Sequence, residues 1–286
     1  MVLKQNFLKT LICILGFISL QSLFAQDMNI QTDTSTSEKK IFILKGFIQD
    51  EAKLWTSPLR YKKNDWLVAA PVIAGSLILF KYDESVFQNF KSYKLQHQWV
   101  KDASPWFTAF GDGKVAVPIS ILLYSGGVIF KDQKLKQTGL LAMQSMSHAA
   151  IISQIIKMAA SRQRPYSMNG VDHWALFPAY FNSFKKGYSG PTYNSFPSGH
   201  SITIWTLASV IALQYKNYWY IPVICYSTAT LTSLSRITME AHWPSDVLVG
   251  AALGYGIAKF VVNKRKLTRW KLLPDCWRKN ISVKII

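Results

Sequence analysis

His242 and Asp246 stand four residues apart in the sequence. Residues at this spacing face each other on a helical turn. A carboxylate that accepts the N–H of one imidazole nitrogen fixes the tautomer, so the other nitrogen can act as a nucleophile. Pro244 is tolerated in a first helical turn, so we expect the pair at the start of a helix. Taken alone, the two residues could equally be a buried polar pair that links helices.

A second block, Pro197-Ser198-Gly199-His200, opens an apolar stretch. A Ser–Gly turn that enters a helix exposes unpaired backbone N–H groups, and a helix N-terminus favours anions. Gly199 lets the backbone approach a ligand closely. His200 lies at the rim, where it can exchange a proton near neutral pH. The simpler interpretation is an ordinary N-cap followed by an incidental histidine.

Three cationic side chains accompany these blocks. Lys157 and Arg164 are seven residues apart, almost two helical turns, so they share one face of a helix. Pro165 disfavours helix at Arg164, which predicts that the helix ends there. Long cations at that end can reach one phosphate, as can Arg236, and arginine offers a planar fork of donors. A basic helix end that complements the macrodipole is the alternative for the first pair.

Together the three blocks resemble the signature of the type 2 phosphatidic acid phosphatase family. That family shares its fold core with bacterial acid phosphatases and vanadium haloperoxidases. The resemblance covers about residues 60 to 262 and has no departure at the motif positions. It implies a phosphatase in which His242 attacks phosphorus, Asp246 orients it and His200 protonates the leaving oxygen. The residues that would bind the phosphate oxygens are Lys157, Arg164, Ser198, Gly199 and Arg236.

The resemblance also implies that the enzyme needs no metal and no other cofactor. The sequence lacks a carboxylate cluster of the kind that hard cations prefer. Its three cysteines, Cys13, Cys225 and Cys276, form no close pair. We therefore expect neither a metal site nor a disulfide scaffold.

Six apolar stretches of about 15 to 22 residues must position these side chains. A bilayer span needs about 20 residues. The sequence shows no internal repeat and no alternating strand pattern, so it predicts one all-α bundle of about six helices, membrane-embedded or membrane-associated. The stretches are Trp66–Phe80, Val115–Phe130, Gly139–Ala160, Ser201–Tyr215, Tyr220–Leu234 and Val247–Val262.

The ends of the chain differ from its centre in composition. Residues 1–25 carry two lysines before an apolar run, which predicts a signal peptide or an N-terminal anchor. Residues 26–40 are rich in Ser, Thr and Asp and are predicted to be a flexible linker. We assign residues 41–271 to the phosphatase domain and residues 272–286 to a basic C-terminal tail.

The net charge of +18 indicates anionic partners. Much of the excess follows the last apolar stretch, which is typical of a cytoplasmic anchor, and no nucleic-acid motif is present.

The membrane topology predicted by counting spans conflicts with the one predicted from the charges. If all six stretches span and the chain starts outside, the catalytic blocks would lie in the cytosol. The positive charges after the last stretch instead place the catalytic blocks outside. Either the bundle is not embedded or one stretch does not span. Trp66–Phe80 is the weakest candidate because it is short. We expect a bacterial envelope protein whose site faces the periplasm.

The composition of the loop Tyr166–Phe196 indicates a class of substrate. Its 31 residues contain nine aromatic side chains, and loops of this length are often lids. Trp and Tyr favour the headgroup level of a bilayer, so we expect a phosphorylated lipid: phosphatidate-like, isoprenyl diphosphate or lipid A-like. The alternatives are a broad periplasmic acid phosphatase or phosphotransferase, a haloperoxidase and, remotely, a non-enzymatic transporter or scaffold. The sequence indicates no oligomeric state.

Overall fold

The computed structural model describes residues 36–167, 174–175, 178–183, 190 and 192–271, with side chains between positions 45 and 264. The predicted signal peptide or anchor, most of the predicted linker and the basic tail lie outside the described residues. Within the described part, the regular structure is helical, apart from one isolated bridge between Arg162 and Trp174.

The described residues form nine α-helices, and each of the six apolar stretches falls in one of them. The all-α prediction is therefore confirmed. Three helices, α1, α3 and α6, lie outside the six stretches. The helices are α1 (Thr36–Trp55), α2 (Lys63–Gln96), α3 (Gln98–Phe110), α4 (Gly113–Ile129), α5 (Gln133–Ala160), α6 (Pro178–Asn182), α7 (Gly199–Gln214), α8 (Tyr220–Thr238) and α9 (Pro244–Lys271), with 3₁₀ turns at Ser57–Arg60 and Pro165–Ser167.

Helix α1 corrects the predicted linker, since it begins at Thr36 rather than after residue 40. The polar composition of residues 36–40 suggested a flexible segment. However, Glu38, Lys39 and Lys40 are all good helix formers. They continue into the apolar residues of α1, which packs on the bundle through Leu54 beside Ile152 and Ile257.

Helix α7 lies at the centre of the bundle and contacts α5, α8 and α9. Glycines bring α9 unusually close to it. A Cβ atom at Gly254 would lie 2.5 Å from the carbonyl oxygen of Ile202, and one at Gly250 would lie 2.8 Å from that of Ser198. Small residues four apart allow helix backbones to meet in this way. As a result, the first turn of α9 sits against the first turn of α7.

The break between α3 and α4 packs against the same end of α7. A Cβ atom at Gly111 would lie 2.8 Å from the Cβ of His200. Helix α3 is tied to α8 by hydroxyl–hydroxyl hydrogen bonds of 2.7 Å, one between Ser104 and Thr238 and one between Thr108 and Ser235. Although α3 was not among the predicted stretches, it therefore supports the end of α8 that carries Arg236.

Three helices of the described chain, α2, α5 and α9, are long and apolar enough to cross a membrane. The pair α3–α4, bent by 51°, could supply a fourth span. This finding corrects the prediction that Trp66–Phe80 is too short to span a membrane. This stretch belongs to the 34-residue helix α2, and only 6% of the apolar window is buried within the protein. The charged residues on either side of this stretch lie within α2, so they do not end the helix.

Replacing Gly254 by Ala should destabilise the bundle by about 1–3 kcal/mol, the usual cost of overpacking, because the added methyl group meets the α7 backbone. Gly256 is the matched control, since a Cβ there has nothing within 4 Å. Gly256→Ala should leave stability unchanged or raise it by up to about 1 kcal/mol through helix propensity. Thermal unfolding in detergent measures both. Equal unfolding temperatures for the two variants would contradict the close approach of α7 and α9.

Candidate active site

The ends of α5, α7, α8 and α9 bring every sequence-predicted site residue to one end of the bundle. His200 lies in the first turn of α7 and Asp246 in the first turn of α9. Arg236 is in the last turn of α8, and His242 lies in the short connection that follows it. The side chains are buried or half-buried, and they share a site with Lys157 in the last turn of α5 and with Arg164. Helix α5 ends at Ala160, so Arg164 lies beyond it, and the prediction that the two cations share one helix face was wrong.

Lys157 holds the segment that leads into α7. Its Nζ donates hydrogen bonds to the backbone oxygens of Asn194 (2.6 Å) and Pro197 (2.7 Å). Only 7% of the residue is exposed. The lysine therefore closes the turn before His200 and places its Nζ inside the site.

The two arginines have spare hydrogen-bonding capacity. Arg164 donates from Nε to the side chain of Asn194. Arg236 donates from Nη1 to Thr108 at 3.4 Å, and its Nε is buried without a partner among the described residues. Burial, followed by the charge of Arg164, lowers the pKa of Arg236 to about 10. Such a desolvated cation is stabilised by an anion that accepts from it.

Both histidines are neutral near pH 7. Burial is the main cause in each case, and neighbouring cations add to it. The pKa of His200 is lowered to about 4 by burial and then by the charge of Arg236. Burial and Arg164 hold the pKa of His242 well below its usual range. A neutral imidazole retains the lone pair that a nucleophile needs, whereas a general acid must first gain a proton.

Asp246 is fully buried, and both of its oxygens accept hydrogen bonds. Oδ1 accepts from Arg162 at 2.7 Å. Oδ2 accepts from the backbone N–H of Trp243 at 3.0 Å and from the hydroxyl of Ser195. The Nδ1 atom of His242 is 3.6 Å from Oδ2, which is longer than a hydrogen bond. The structure therefore pairs these side chains, but the expected hydrogen bond is not formed because two other donors already engage Oδ2.

Ser198 also departs from the expectation. Its backbone N–H donates to the carbonyl oxygen of Asp246 at 3.0 Å, so it is not free to bind phosphate. Its hydroxyl caps α7 by accepting from the N–H of Ser201. Gly199 and His200 come next, where helix geometry leaves N–H groups without intrahelical partners. A Cβ at Gly199 would be 3.8 Å from the nearest neighbour, the Cε of Lys157, so the backbone here is accessible to a ligand.

Two site residues carried no assigned role in the sequence. Arg162 is fully buried and contacts Asp246, Ser245 and Asp83. Its position two residues before Arg164 was the only available signal. For Asp83 the sequence contains no such signal, since this residue lies 79 residues away from Arg162 in the chain.

A family model described as the PAP2 superfamily matches residues 138–270. These residues, just under half of the chain, are similar to the PAP2 superfamily. The recognition from the three sequence blocks is thereby confirmed. The match includes every predicted catalytic and phosphate-binding position, whereas Asp83 and α1 to α4 precede it.

Curated PAP2 relatives are similar to much of the chain. The lipid A 1-phosphatase of Rhizobium etli is 28% identical over 191 residues, which cover 62% of this chain and 78% of the relative. The lipid A 1-phosphatase of Porphyromonas gingivalis is 26% identical over 217 residues, covering 72% of this chain but only 41% of that protein. The undecaprenyl-diphosphatase of Sulfolobus acidocaldarius is 28% identical over 154 residues, or 54% of this chain and 65% of the relative.

A solved PAP2 structure has the same fold. It is the transmembrane PAP2 type phosphatidylglycerolphosphate phosphatase from Bacillus subtilis, with a TM-score of 0.51 and 20% identity over 69% of this chain and 95% of that one. The similarity to PAP2 phosphatases supports a phosphoric ester hydrolase, and a histidine nucleophile is the general mechanism of that family. Its apolar helices and its bacterial membrane relatives place it in a membrane.

Proposed function

We propose that this PAP2 protein removes a phosphate group from a membrane lipid through a phosphohistidine on His242. The observation that supports this best is the neutral, buried imidazole of His242 beside the cation cluster Lys157, Arg164 and Arg236. A nucleophile, a site for an anion and a second histidine then meet at one end of the bundle. This is the set of groups that phosphoryl transfer requires.

In the first step, the phosphate oxygens bind to the cation cluster and to the N–H groups of Gly199 and His200. The Nε2 atom of His242 attacks phosphorus, since Nδ1 is the nitrogen that faces Asp246. The bond between phosphorus and the leaving oxygen breaks, and His200 gives that oxygen a proton. The positive charge that develops on the imidazole of His242 is stabilised by the carboxylate of Asp246.

The proton on His200 must come with the substrate, because the free protein holds this histidine neutral with a pKa of about 4. A bound phosphate offsets the surrounding cations and favours protonation of the imidazole. In the second step, water attacks the phosphohistidine and the N–P bond breaks. His200, which lost its proton in the first step, accepts one from the water. His200 loses this proton as phosphate leaves, and both histidines are then neutral again, as in the free protein.

A groove of about 900 Å³ supports a lipid substrate. It is lined mainly by apolar side chains of α2 and α9, with the end of α1 and part of α5. Phe80 is one of its lining residues and packs against Trp174 and Phe196 at 5.7 and 5.6 Å between ring centroids. Phe196 precedes Pro197 of the catalytic turn, so the groove extends from the site along the apolar face of α2. An acyl or isoprenyl chain fits these properties.

Those aromatic residues of the loop that the structure describes support the same substrate class. Trp174 and Phe196 pack together at 5.4 Å, and Tyr180 is buried, so these members cover the site end of the bundle. Phe177, Phe184 and Tyr188 of this loop lie outside the described residues, as do Lys185 and Lys186. The names of the curated relatives, lipid A 1-phosphatase and undecaprenyl-diphosphatase, agree with a lipid-linked phosphate.

We also propose that the site faces the periplasm. The opposite end of the bundle carries Lys131, Lys134 and Lys216 beside the exposed aromatic residues Phe130 and Trp219. Positive charge and aromatic residues at one end are typical of a cytoplasmic membrane boundary.

The direction of helix α2 supports this orientation. Asp83 reaches the site from the middle of α2, 20 residues after Lys63. At 1.5 Å per residue, α2 therefore begins about 30 Å away, at the lysine-rich end. The number of spans predicted from the sequence conflicts with the charges only where the chain enters the first span from outside. With α2 entering from the cytoplasmic end, the charges and the site agree without excluding a stretch.

His242→Ala should lower phosphate release by at least ~100-fold, because no other group can take the phosphoryl group. Rapid quenching with a ³²P-labelled phosphate ester should trap labelled protein that is stable to alkali and labile to acid, as expected for phosphohistidine. The label should be absent in His242→Ala and present in His97→Ala, a histidine at the junction of α2 and α3. Normal turnover or labelling of the His242 variant would disprove the mechanism.

Ala69→Phe should impair turnover of a long-chain lipid phosphate by at least ~10-fold, since each CH₂ kept out of the groove costs about 0.8 kcal/mol. Turnover of p-nitrophenyl phosphate should change less than twofold, because its leaving group has no chain. Ala70→Phe is the matched control: its neighbour Ala69 lines the groove, whereas Ala70 is exposed and does not. Equal impairment of both substrates by Ala69→Phe would assign the groove a structural role and favour a broad-specificity phosphatase.

Single cysteines at opposite ends of the bundle test the orientation. In a background lacking Cys13, Cys225 and Cys276, Tyr166→Cys should react with an impermeant maleimide in intact spheroplasts, because Tyr166 is exposed beside the site. Lys131→Cys should react only after lysis. The reverse pattern would place the site in the cytosol.

A further inference from the structure

Arg162 occupies the centre of a buried ionic network behind the catalytic carboxylate. Its guanidinium donates to Asp246 at 2.7 Å, to the hydroxyl of Ser245 at 2.7 Å and to Asp83 at 2.8 Å. All four side chains are at most 2% exposed. A cation buried this deeply costs several kcal/mol unless its partners have good geometry. The cost and the geometry together indicate a built arrangement rather than a chance contact.

Aromatic rings enclose the same guanidinium. The rings of Trp174, Trp243 and Phe80 lie 4.8, 5.3 and 5.5 Å from its central carbon. They exclude water from Arg162 and provide cation–π contacts. With water excluded, the position of the charge is set by its two carboxylate partners.

The two carboxylates are held from both sides. Asp83 accepts from the backbone N–H of Ser245 at 2.8 Å and from its hydroxyl, in addition to Arg162. Asp246 accepts from Ser195 and from the N–H of Trp243, which leaves Oδ2 facing His242. Arg162 thus carries one positive charge between two negative ones. The charges facing Asp246 are those of Arg162, Asp83, Lys157 and Arg164, together with the titratable His242.

We propose that Arg162 and Asp83 are positioning residues for the reaction at His242. Arg162 keeps Asp246 ionised and oriented, and Asp83 fixes Arg162 from α2. The inference rests on the proposed function, because it assigns Asp246 the task of balancing the charge on the phosphorylated imidazole. It also gives α2 a part in the site, although Asp83 lies before residues 138–270 that match the superfamily.

Because of this charge balance, the single variants Arg162→Gln and Asp83→Asn should shift the pH dependence of kcat in opposite directions. In Arg162→Gln, two buried carboxylates face each other without a cation, so one of them binds a proton more readily. The acid limb of the kcat profile should therefore move to higher pH. In Asp83→Asn, the surroundings of Asp246 and His242 become more positive, and the limb should move to lower pH. A residue that only packs would move the limb in neither direction.

Steady-state kinetics with p-nitrophenyl phosphate test these expectations. Each single variant should lower kcat by about 10 to 100-fold, the range for groups that orient a reacting residue from behind, with little change in KM. The double variant Arg162→Gln/Asp83→Asn removes one charge of each sign, so it should recover at least part of the loss in Arg162→Gln and return the acid limb toward that of the wild type. Wild-type kcat and pH profiles in the single variants, or a double variant no better than Arg162→Gln, would overturn the proposal.

A second measurement does not depend on turnover. ¹⁵N spectra of histidine-labelled protein in detergent report the tautomer of His242, whose signal is assigned by its loss in His242→Asn. The wild type should show the Nδ1–H tautomer, and both single variants should show less of it. If the wild type hydrolyses no phosphate ester, the proposed function fails while these spectra still decide the positioning role. If Arg162→Gln does not fold, Asp83→Asn and Ser245→Ala decide it, and an unchanged tautomer in both would refute it.

Discussion

Positive charge concentrated at one end of a low-dielectric bundle is the constraint on which the site depends. Lys157, Arg164 and Arg236 form this concentration of charge. Burial lowers the pKa of Arg236 and of both histidines, and the charge of Arg164 lowers all three further. Burial makes such a cluster costly, and a bound phosphate would relieve the cost. The same charges add to burial in keeping His242 neutral, so the groups that bind the anion also help to prepare the nucleophile. Binding and chemistry therefore share an electrostatic cause.

The fold stabilises this cluster through backbone contacts rather than through matching carboxylates. Lys157 is held by carbonyl oxygens before α7, and Arg164 by the side chain of Asn194. A carboxylate beside each cation would neutralise it and occupy the place of the phosphate. Asp246 is the exception, but Arg162 engages one of its oxygens. The negative charge of Asp246 therefore faces His242 as well as Lys157 and Arg164.

The glycines of α9 explain how helix ends can form a site of this kind. Gly250 and Gly254 let α9 approach α7 until backbone atoms touch. The carbonyl oxygen of Asp246 then accepts the N–H of Ser198, which ties the first turns of the two helices together. A larger residue at either glycine would separate His200 from His242. The motif residues therefore depend on small residues one to two turns away from the chemistry.

The sequence by itself determined the features that arise within a few residues of chain. These features are the cap of α7 at Ser198, the spacing of His242 and Asp246, and the apolar stretches that become helices. Local propensity, capping and periodicity act over one or two turns, so these features can be predicted from a single segment. The family resemblance added the roles of residues whose individual interpretations had remained open.

Only the tertiary structure decided which groups meet across the chain. Ser195 and Trp243 engage Oδ2 of Asp246, and the Nδ1 atom of His242 faces the same oxygen at 3.6 Å. The contact of Asp83 with Arg162 spans 79 residues, and no local pattern predicts it. Side chains far apart in sequence become neighbours only after whole helices pack, and packing depends on the combined shape of all the elements.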